Sequence, residues 1–460
     1  MLEGYEDDIL YLKILLGSFC ASLIGRRLPH YRDWFGGVVG LLLCVAVCRY
    51  HTLYSLACVL GNLFIMWAEP PRKAPRLNFA FTFLYLAFFR CAHWFDLPKP
   101  HPHANAVQLL MTLRCVGLSY EIADSHDKVA TGRNSKEVLP SSPIRSFLYL
   151  YNFAGLFTGP YYSYKVHLDM VRAKDLTRVP VAREIVPRLL LVPSFICLLL
   201  LVATVFPLSY MHTDEFYTEL SFFARLLYMA PVFVYLRMRV YCAWLLSESA
   251  CIANCIGAYP ARTLPRVGQG PTVALPEEEE LSHDEKYSFE TVRNIDIYGC
   301  ELCEMAGFRG GIRSWNRSVQ YWLAIYVYKR VPRTIGMPWT MLVSAFWHGI
   351  HPGYYLAFLT VPLSTAVEDA FFATFDLKKT EEEEDGDQWK HRLRLLWCFF
   401  RMRGFEYMAM GFLLLSWRST LRYWGSIYYC FHFALLAIWI VCFAVKLARK
   451  KPKSSSGKAD

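Results

Sequence analysis

Apolar runs of about 17–25 residues recur along the chain, the length needed to cross ~30 Å of hydrocarbon. They include Ile9–Gly25, Trp34–Val47, Thr52–Ala68, Phe79–Phe95, Leu189–Phe206, Phe222–Leu246, Pro352–Phe372, Leu395–Ser416 and Tyr423–Leu447. In hydrocarbon a backbone must satisfy its own hydrogen bonds, so such runs fold as helices. Hydrophobic residues make up 55% of the 460, above the ~45–50% of soluble domains. The expectation is an all-α, polytopic membrane protein with about nine to eleven transmembrane helices plus short or re-entrant ones. Phe147–Phe157 and Trp339–Trp347 are shorter runs that either span or enter and turn back. No internal repeat and no soluble domain large enough to fold alone is evident. The acidic start "MLEGYEDD" does not read as a separate signal peptide.

Charge placement gives an orientation. Basic loops face the cytosol. "GRRLPHYR", "PPRKAPR", "HDKVATGRNSK" and Lys165–Arg188 are basic, whereas "MHTDEFYTEL" is acidic. A consistent path puts the N-terminus in the lumen and the C-terminus in the cytosol. The tail 451–460 is a basic cytosolic extension after a single domain, 1–450. Juxtamembrane lysines are ordinary orientation signals, so the net charge of +10 does not point to nucleic acid.

Several of the fifteen cysteines lie in apolar runs, where they act as small hydrophobes. Cys300 and Cys303 form one C-x-x-C without the second pair a zinc ribbon needs. The longest polar stretch, about 257–313, reads as a cytosolic loop, and its Pro/Gly/Glu-rich piece "TLPRVGQGPTVALPEEEELSHDEK" reads as mobile. A second polar insert spans about 376–390, and its acids Glu381–Asp385 read as solvated.

Two segments carry chemistry-bearing residues. In Arg313–Arg330, Trp315, Val319, Trp322 and Tyr326 repeat at helical spacing, with Asn316 and Gln320 as a polar ridge beside them. After the linker "VPRTIGMP", Pro338 reads as the start of a second helix that runs from Trp339 to His348. Ten residues at ~1.5 Å each place His348 about 15 Å along it, near the bilayer midplane if that helix begins at the cytosolic boundary. Gly349, Pro352 and Gly353 then break the helix, and broken helices at membrane depth line protein or a watery cavity. Pro352 biases His351 toward extended geometry.

Polar and ionisable residues in apolar segments are functional candidates. Four readings of His348 and His351 stay open on these residues alone: metal ligands, a structural histidine, a proton relay, or a general base suited by an ordinary pKa near 6.5. A metal would need further ligands, and none is close in sequence. Asn316 opens the chain's single N-x-S/T sequon, "NRS", yet sits at the head of an aromatic amphipathic segment. Its amide can donate to a carbonyl oxygen or accept from a hydroxyl. No histidine is followed by Asp five positions on, and the G-x-S-x-G elbow and the P-loop are absent.

"WN" at Trp315–Asn316 and "WHG" at Trp347–Gly349, with Asn316 and His348 32 residues apart, resemble the signature of the membrane-bound O-acyltransferases. Within that family the lysophosphatidylinositol acyltransferase branch is the most similar. The runs "NAVQLL", "FTGPYYSY", "ETVRNID", "WNRSVQYWLAIYVYK" and "TLRYWGSIYYCFHF" carry the likeness, from about Thr52 to Phe433.

The resemblance implies a curved array of helices around a tunnel in endoplasmic-reticulum membranes. It implies acyl transfer from acyl-coenzyme A to the sn-2 hydroxyl of lysophosphatidylinositol, with arachidonoyl-type chains preferred, and neither cofactor nor metal. It assigns His348 as general base and Asn316 as its catalytic partner. Trp315, Gln320, Trp347, His351, Tyr161, Arg313 and Arg330 become candidates for substrate contact, and Arg309, Lys329 and Arg333 further candidates for the coenzyme A phosphates. Another lysophospholipid or a peptide acceptor, or a proton-coupled transporter with His348 as relay, are the alternatives. No oligomeric state follows from the sequence.

Overall fold

The computed structural model describes residues 6–130, 139–140, 142–173, 176–273, 285–301, 307–377 and 388–449. The basic tail 451–460, the acids Glu381–Asp385 and Cys303 lie outside them. Eighteen helices follow one another among the described residues: α1 Glu6–Gly25, α2 Arg32–Cys48, α3 Thr52–Ala68, α4 Ala74–Arg90, α5 Pro102–Ala130, α6 Pro143–Leu150, α7 Tyr164–Arg172, α8 Ala182–Val205, α9 Glu215–Glu219, α10 Phe222–Ala253, α11 Ile297–Glu301, α12 Phe308–Ser314, α13 Arg317–Tyr326, α14 Arg333–His348, α15 Pro352–Phe375, α16 Gln388–Leu414, α17 Trp417–Ser426 and α18 Cys430–Arg449. The protein is an all-α, multi-pass membrane protein.

Six helical stretches among the described residues are long and apolar enough to cross a membrane: Glu6–Gly25, Arg32–Ala68, Ala182–His212, Phe222–Ala253, Pro352–Phe375 and Cys430–Arg449. Two other runs read as spans in the sequence, Phe79–Phe95 and Leu395–Ser416, are not among these six; they fall largely in α4 and α16. In α16, Arg394 donates to the Leu377 carbonyl at 3.3 Å and Arg401 to the Cys300 carbonyl at 3.1 Å, so these cations are satisfied by protein. The Phe147–Phe157 run is not a continuous helix: α6 stops at Leu150 and an irregular buried segment follows.

The chain divides into two compact units. The first comprises Met1–Leu201, Tyr235–Asp296 and Trp315–Ile350; the second comprises Val202–Val234, Ile297–Ser314 and His351–Asp460. In the second unit α15 packs against α12, α16, α17 and α18. Gly353 and Gly411 let the α15 and α16 backbones touch, because a Cβ on either would strike the other's carbonyl.

In the first unit α5 is the central element, touching α2, α3, α4, α6, α7 and α13. Every residue from Leu110 to Ser119 is buried, as expected of a helix enclosed on all sides. Arg114 in this stretch is fully buried. Its guanidinium donates to the carbonyls of Leu150 (3.0 Å), Asn152 (2.8 Å) and Ala154 (2.6 Å), and lies over the rings of Tyr149 and Tyr162. Those carbonyls belong to the end of α6 and the irregular chain after it, which no helix or strand can satisfy. Gly40 of α2 permits the same segment to press close, since a Cβ there would collide with the Tyr151 carbonyl.

The polar stretch 257–313 is largely built structure where it is described, and residues 274–284 of the piece read as mobile lie outside the described residues. Tyr259–Pro260 and Tyr287–Ser288 form a two-residue antiparallel β-pair, β1 and β2. Tyr259 donates to Asp169 of α7 at 2.7 Å, and Ser163 N–H to the Gly268 carbonyl at 3.0 Å. These tertiary hydrogen bonds compensate for the apolar residues the stretch lacks.

Replacing Arg114 by Leu removes this donor from the Leu150 and Asn152 carbonyls, each worth about 1–3 kcal/mol when unsatisfied, while the Ala154 carbonyl keeps the Tyr162 hydroxyl at 3.0 Å. The expected outcome is a loss on the order of 3 kcal/mol or more, read as a lower thermal midpoint of the purified protein. Arg114→Lys is expected to recover little, because an ammonium cannot reproduce the planar fork.

Candidate active site

The Arg313–Arg330 segment is not one helix. α12 ends at Ser314, α13 begins at Arg317, and Trp315 and Asn316 form the break. Asn316 has φ 46° and ψ 52°, in the left-handed region that Asn tolerates better than most residues. Its carbonyl accepts the Gln320 N–H at 3.1 Å, while its side chain makes no capping hydrogen bond. The carboxamide is therefore not spent on holding the helix start.

Other residues hold that start. The Asn294 carbonyl accepts the Arg317 N–H at 2.8 Å. The Asn294 side-chain oxygen accepts from Ser318 Oγ at 2.6 Å and from Ser318 N–H at 3.3 Å. Ser318 Oγ in turn accepts the Tyr161 N–H at 3.0 Å. Behind Asn294, the carboxylate of Glu248, only 1% exposed, accepts the N–H groups of Asn294 and Ile295 at 2.6 and 3.0 Å. Arg188 balances that carboxylate at 3.0 Å. The sequence held a signal for Glu248, a carboxylate inside the apolar helix α10. Asn294 showed no such signal, because only the fold brings it to α13.

Trp315 packs edge-on against Trp244, ring centroids 5.0 Å apart, and lies 5.9 Å from Tyr241. The Gln320 side chain donates to the Trp315 carbonyl at 2.5 Å, so it braces the break. Val319, Trp322 and Tyr326 are buried, as the periodicity requires.

α14 starts at Arg333, with Pro338 inside it rather than at its head. The expected start at Pro338 is corrected: Pro332 precedes the first turn, and only the N–H lost at Pro338 interrupts the ladder. His348 ends this helix of 16 residues, about 24 Å at ~1.5 Å per residue. Its half-buried imidazole lies beside the Trp347 ring, centroids 4.7 Å apart.

Two indoles set the relation of α13 to α14. Trp322 Nε1 donates to the Leu113 carbonyl at 2.9 Å, and Trp347 Nε1 to the Leu109 carbonyl at 3.0 Å. The two acceptors are four residues apart, one turn of α5. The helix that follows Asn316 and the helix that ends in His348 are thus registered on adjacent turns of one buried helix, and α13 also touches α14 directly.

The remaining candidates are dispersed. Tyr161 is fully buried, its hydroxyl 3.1 Å from Glu121 Oε1, which the Tyr326 hydroxyl also approaches at 3.2 Å. Arg330 is engaged by both oxygens of Asp124 at 2.6 and 3.2 Å and lies over Tyr120. It forms part of the lining of a cavity of about 550 Å³ with Arg76, Phe79, Tyr120, Tyr326 and Trp339. Arg309 pairs with Asp369 at 2.5 Å, whereas Arg313, Lys329 and Arg333 are exposed. His351, exposed and extended at φ −68° and ψ 130°, precedes Pro352 in the second unit and does not cap α15 through its side chain.

The model of the membrane-bound O-acyltransferase family matches residues 41–387, which include both Asn316 and His348. A membrane-bound acylglycerophosphatidylinositol O-acyltransferase of Xenopus laevis is 40% identical over 463 residues, covering 97% of this chain and 95% of the relative. The protein of the same name in Homo sapiens is 40% identical over 446 residues, covering 94% and 92%. That of Caenorhabditis elegans is 34% identical over 460 residues, covering 98% of both chains.

Removing one partner of a buried ion pair costs about 3–5 kcal/mol. Glu248→Ala is therefore expected to lower the thermal midpoint and to speed deuterium exchange at the amides of Asn294 and Ile295. Unchanged exchange there would separate Glu248 from the support of α13.

Proposed function

This chain belongs to the membrane-bound O-acyltransferase family and is an acyltransferase, and we propose that it acylates the sn-2 hydroxyl of lysophosphatidylinositol with acyl-coenzyme A as donor. The acceptor follows from the relatives, which are acylglycerophosphatidylinositol O-acyltransferases by name. The preference for arachidonoyl-type chains and the endoplasmic-reticulum membrane follow the family branch. In this reading the N-terminus is lumenal and the C-terminus cytosolic, and residues 1–450 form one domain followed by the basic tail.

The observation that carries the mechanism is the shared registration of α13 and α14 on α5, with the Asn316 carboxamide left unspent at one end and His348 at the other. His348 takes the proton from the acceptor hydroxyl as its oxygen attacks the thioester carbonyl carbon. Asn316 positions a reactant or donates to the carbonyl oxygen as it gains charge. The C–S bond then breaks, coenzyme A leaves as thiolate, and the proton from the imidazolium balances it. No acyl-enzyme is needed, because holding both substrates together supplies much of the rate. The step uses no cofactor or metal.

Trp315, Trp347 and Gln320 act here chiefly by holding the two segments, next to the reactants. The cavity bounded by Arg76 and Arg330 suits the cytosolic approach of an anionic donor, with Phe79, Tyr120 and Trp339 offering ring faces to a base. Arg330 exchanges Asp124 for phosphate in that case, whereas Arg313 is already exposed.

An activity matrix on the purified protein tests this reading. Lysophosphatidylinositol, lysophosphatidylserine and lysophosphatidylcholine are each paired with arachidonoyl-, oleoyl- and palmitoyl-coenzyme A. The inositol acceptor with the polyunsaturated donor is expected to be fastest. His348→Ala is expected to lower kcat by about 10²–10⁴-fold with unchanged membrane insertion, and full activity in that variant removes the mechanism. Asn316→Ala is expected to lower kcat; a raised KM alone moves Asn316 from chemistry to binding.

A further inference from the structure

The last turn of α14 receives a partner from far away in the sequence. Helix C-termini leave their final carbonyls without intrahelical donors. At the end of α14 the Ala345 carbonyl accepts the Gly349 N–H at 3.0 Å. The next two carbonyls, of Phe346 and Trp347, accept from Nη1 and Nη2 of Arg90, the final residue of α4. The same guanidinium lies 5.9 Å from the Phe346 ring centroid. A planar fork matches two successive carbonyl oxygens in a way an ammonium does not, and a cation at a helix C-terminus is favoured by the dipole.

These contacts surround His348 without using its side chain. The backbone on its N-terminal side is held by Arg90 from α4, and the Trp347 indole is held by the Leu109 carbonyl of α5. On its C-terminal side stand Gly349, which has no side chain to anchor, and Ile350, which is exposed. The backbone that carries the imidazole is therefore set by the turn that Arg90 closes. In a low-dielectric setting a guanidinium is an expensive cap, and this one is spent on the two peptide groups that immediately precede His348.

We infer that Arg90 is a positioning residue for acyl transfer, fixing the end of α14 so that His348 meets the acceptor hydroxyl at the reacting distance. This rests on the reading of His348 as the base. Arg90 touches peptide oxygens rather than substrate, so its loss acts on turnover and spares substrate affinity. A misplacement of about 1 Å costs on the order of 10²-fold in rate.

The test uses full-length purified wild type, Arg90→Met, Arg90→Lys and His348→Ala, with lysophosphatidylinositol and arachidonoyl-coenzyme A as substrates. Arg90→Met is expected to lower kcat by about 10–100-fold, with KM for both substrates within about twofold and faster deuterium exchange at Gly349 and Ile350. Arg90→Lys keeps the charge and one donor group, and is expected to fall between Met and wild type. It also serves as the working variant if Arg90→Met does not yield folded protein. Wild-type kcat in a folded Arg90→Met or Arg90→Lys protein overturns the inference alone, as does a raised KM at unchanged kcat. Absent transfer by wild type, or full activity of His348→Ala, overturns the underlying reading and the inference with it.

Discussion

A buried guanidinium in contact with a helix end and the irregular backbone after it is the interaction on which the first unit depends. Arg114 has no carboxylate among its hydrogen-bond partners. It is balanced by backbone carbonyls and two tyrosine rings. Unpaired carbonyls in an apolar interior are costly, and a solitary buried cation is costlier still. Brought together they cancel, and the cancellation allows non-helical chain inside a helical protein. That chain leads to Tyr161, whose N–H reaches Ser318, next to the start of α13.

The same helix α5 then does a second task. Its Leu109 and Leu113 carbonyls accept indole donors from α14 and α13 in addition to their place in the helix. A carbonyl has two lone pairs, so a helix backbone can serve as an acceptor rail without losing its own ladder. Indoles suit the task because their bulk buries apolar area and their single N–H fixes direction. The separation of the two segments becomes a property of a rigid, buried helix rather than of the turn that joins them. Glu248, through Asn294, then orients the first turn of α13, and Arg90 closes the last turn of α14. The candidate catalytic side chains emerge from helix ends whose backbone is held by other residues.

Much of this was legible in the residues. The apolar runs announced helices because hydrocarbon permits little else. The pairing of "WN" with "WHG" announced the family. The buried face of Val319, Trp322 and Tyr326 followed from spacing alone. Other features were not legible. Asn316 falls in a break because α12 and α13 are supported separately, and a continuous aromatic periodicity concealed that break. Pro338 looked like a helix start, yet a proline this close to an N-terminus forfeits a single hydrogen bond, so α14 runs through it. The stretch 257–313 looked loose by composition, although its described residues make hydrogen bonds to α7, α10 and α13 that composition does not record.

By itself, then, the sequence determined an all-α membrane protein and its family, and it singled out the histidine and the asparagine as candidates. Each of these rests on local periodicity or on a short ordered motif. The tertiary structure decided which residues hold those two in place: Arg90, Glu248 and Asn294 lie 258, 68 and 22 residues from the groups they support, at Arg90–His348, Glu248–Asn316 and Asn294–Asn316. Such contacts are made by direction-dependent hydrogen bonds to backbone atoms that every residue carries. Only folding shows which carbonyl or N–H each side chain reaches.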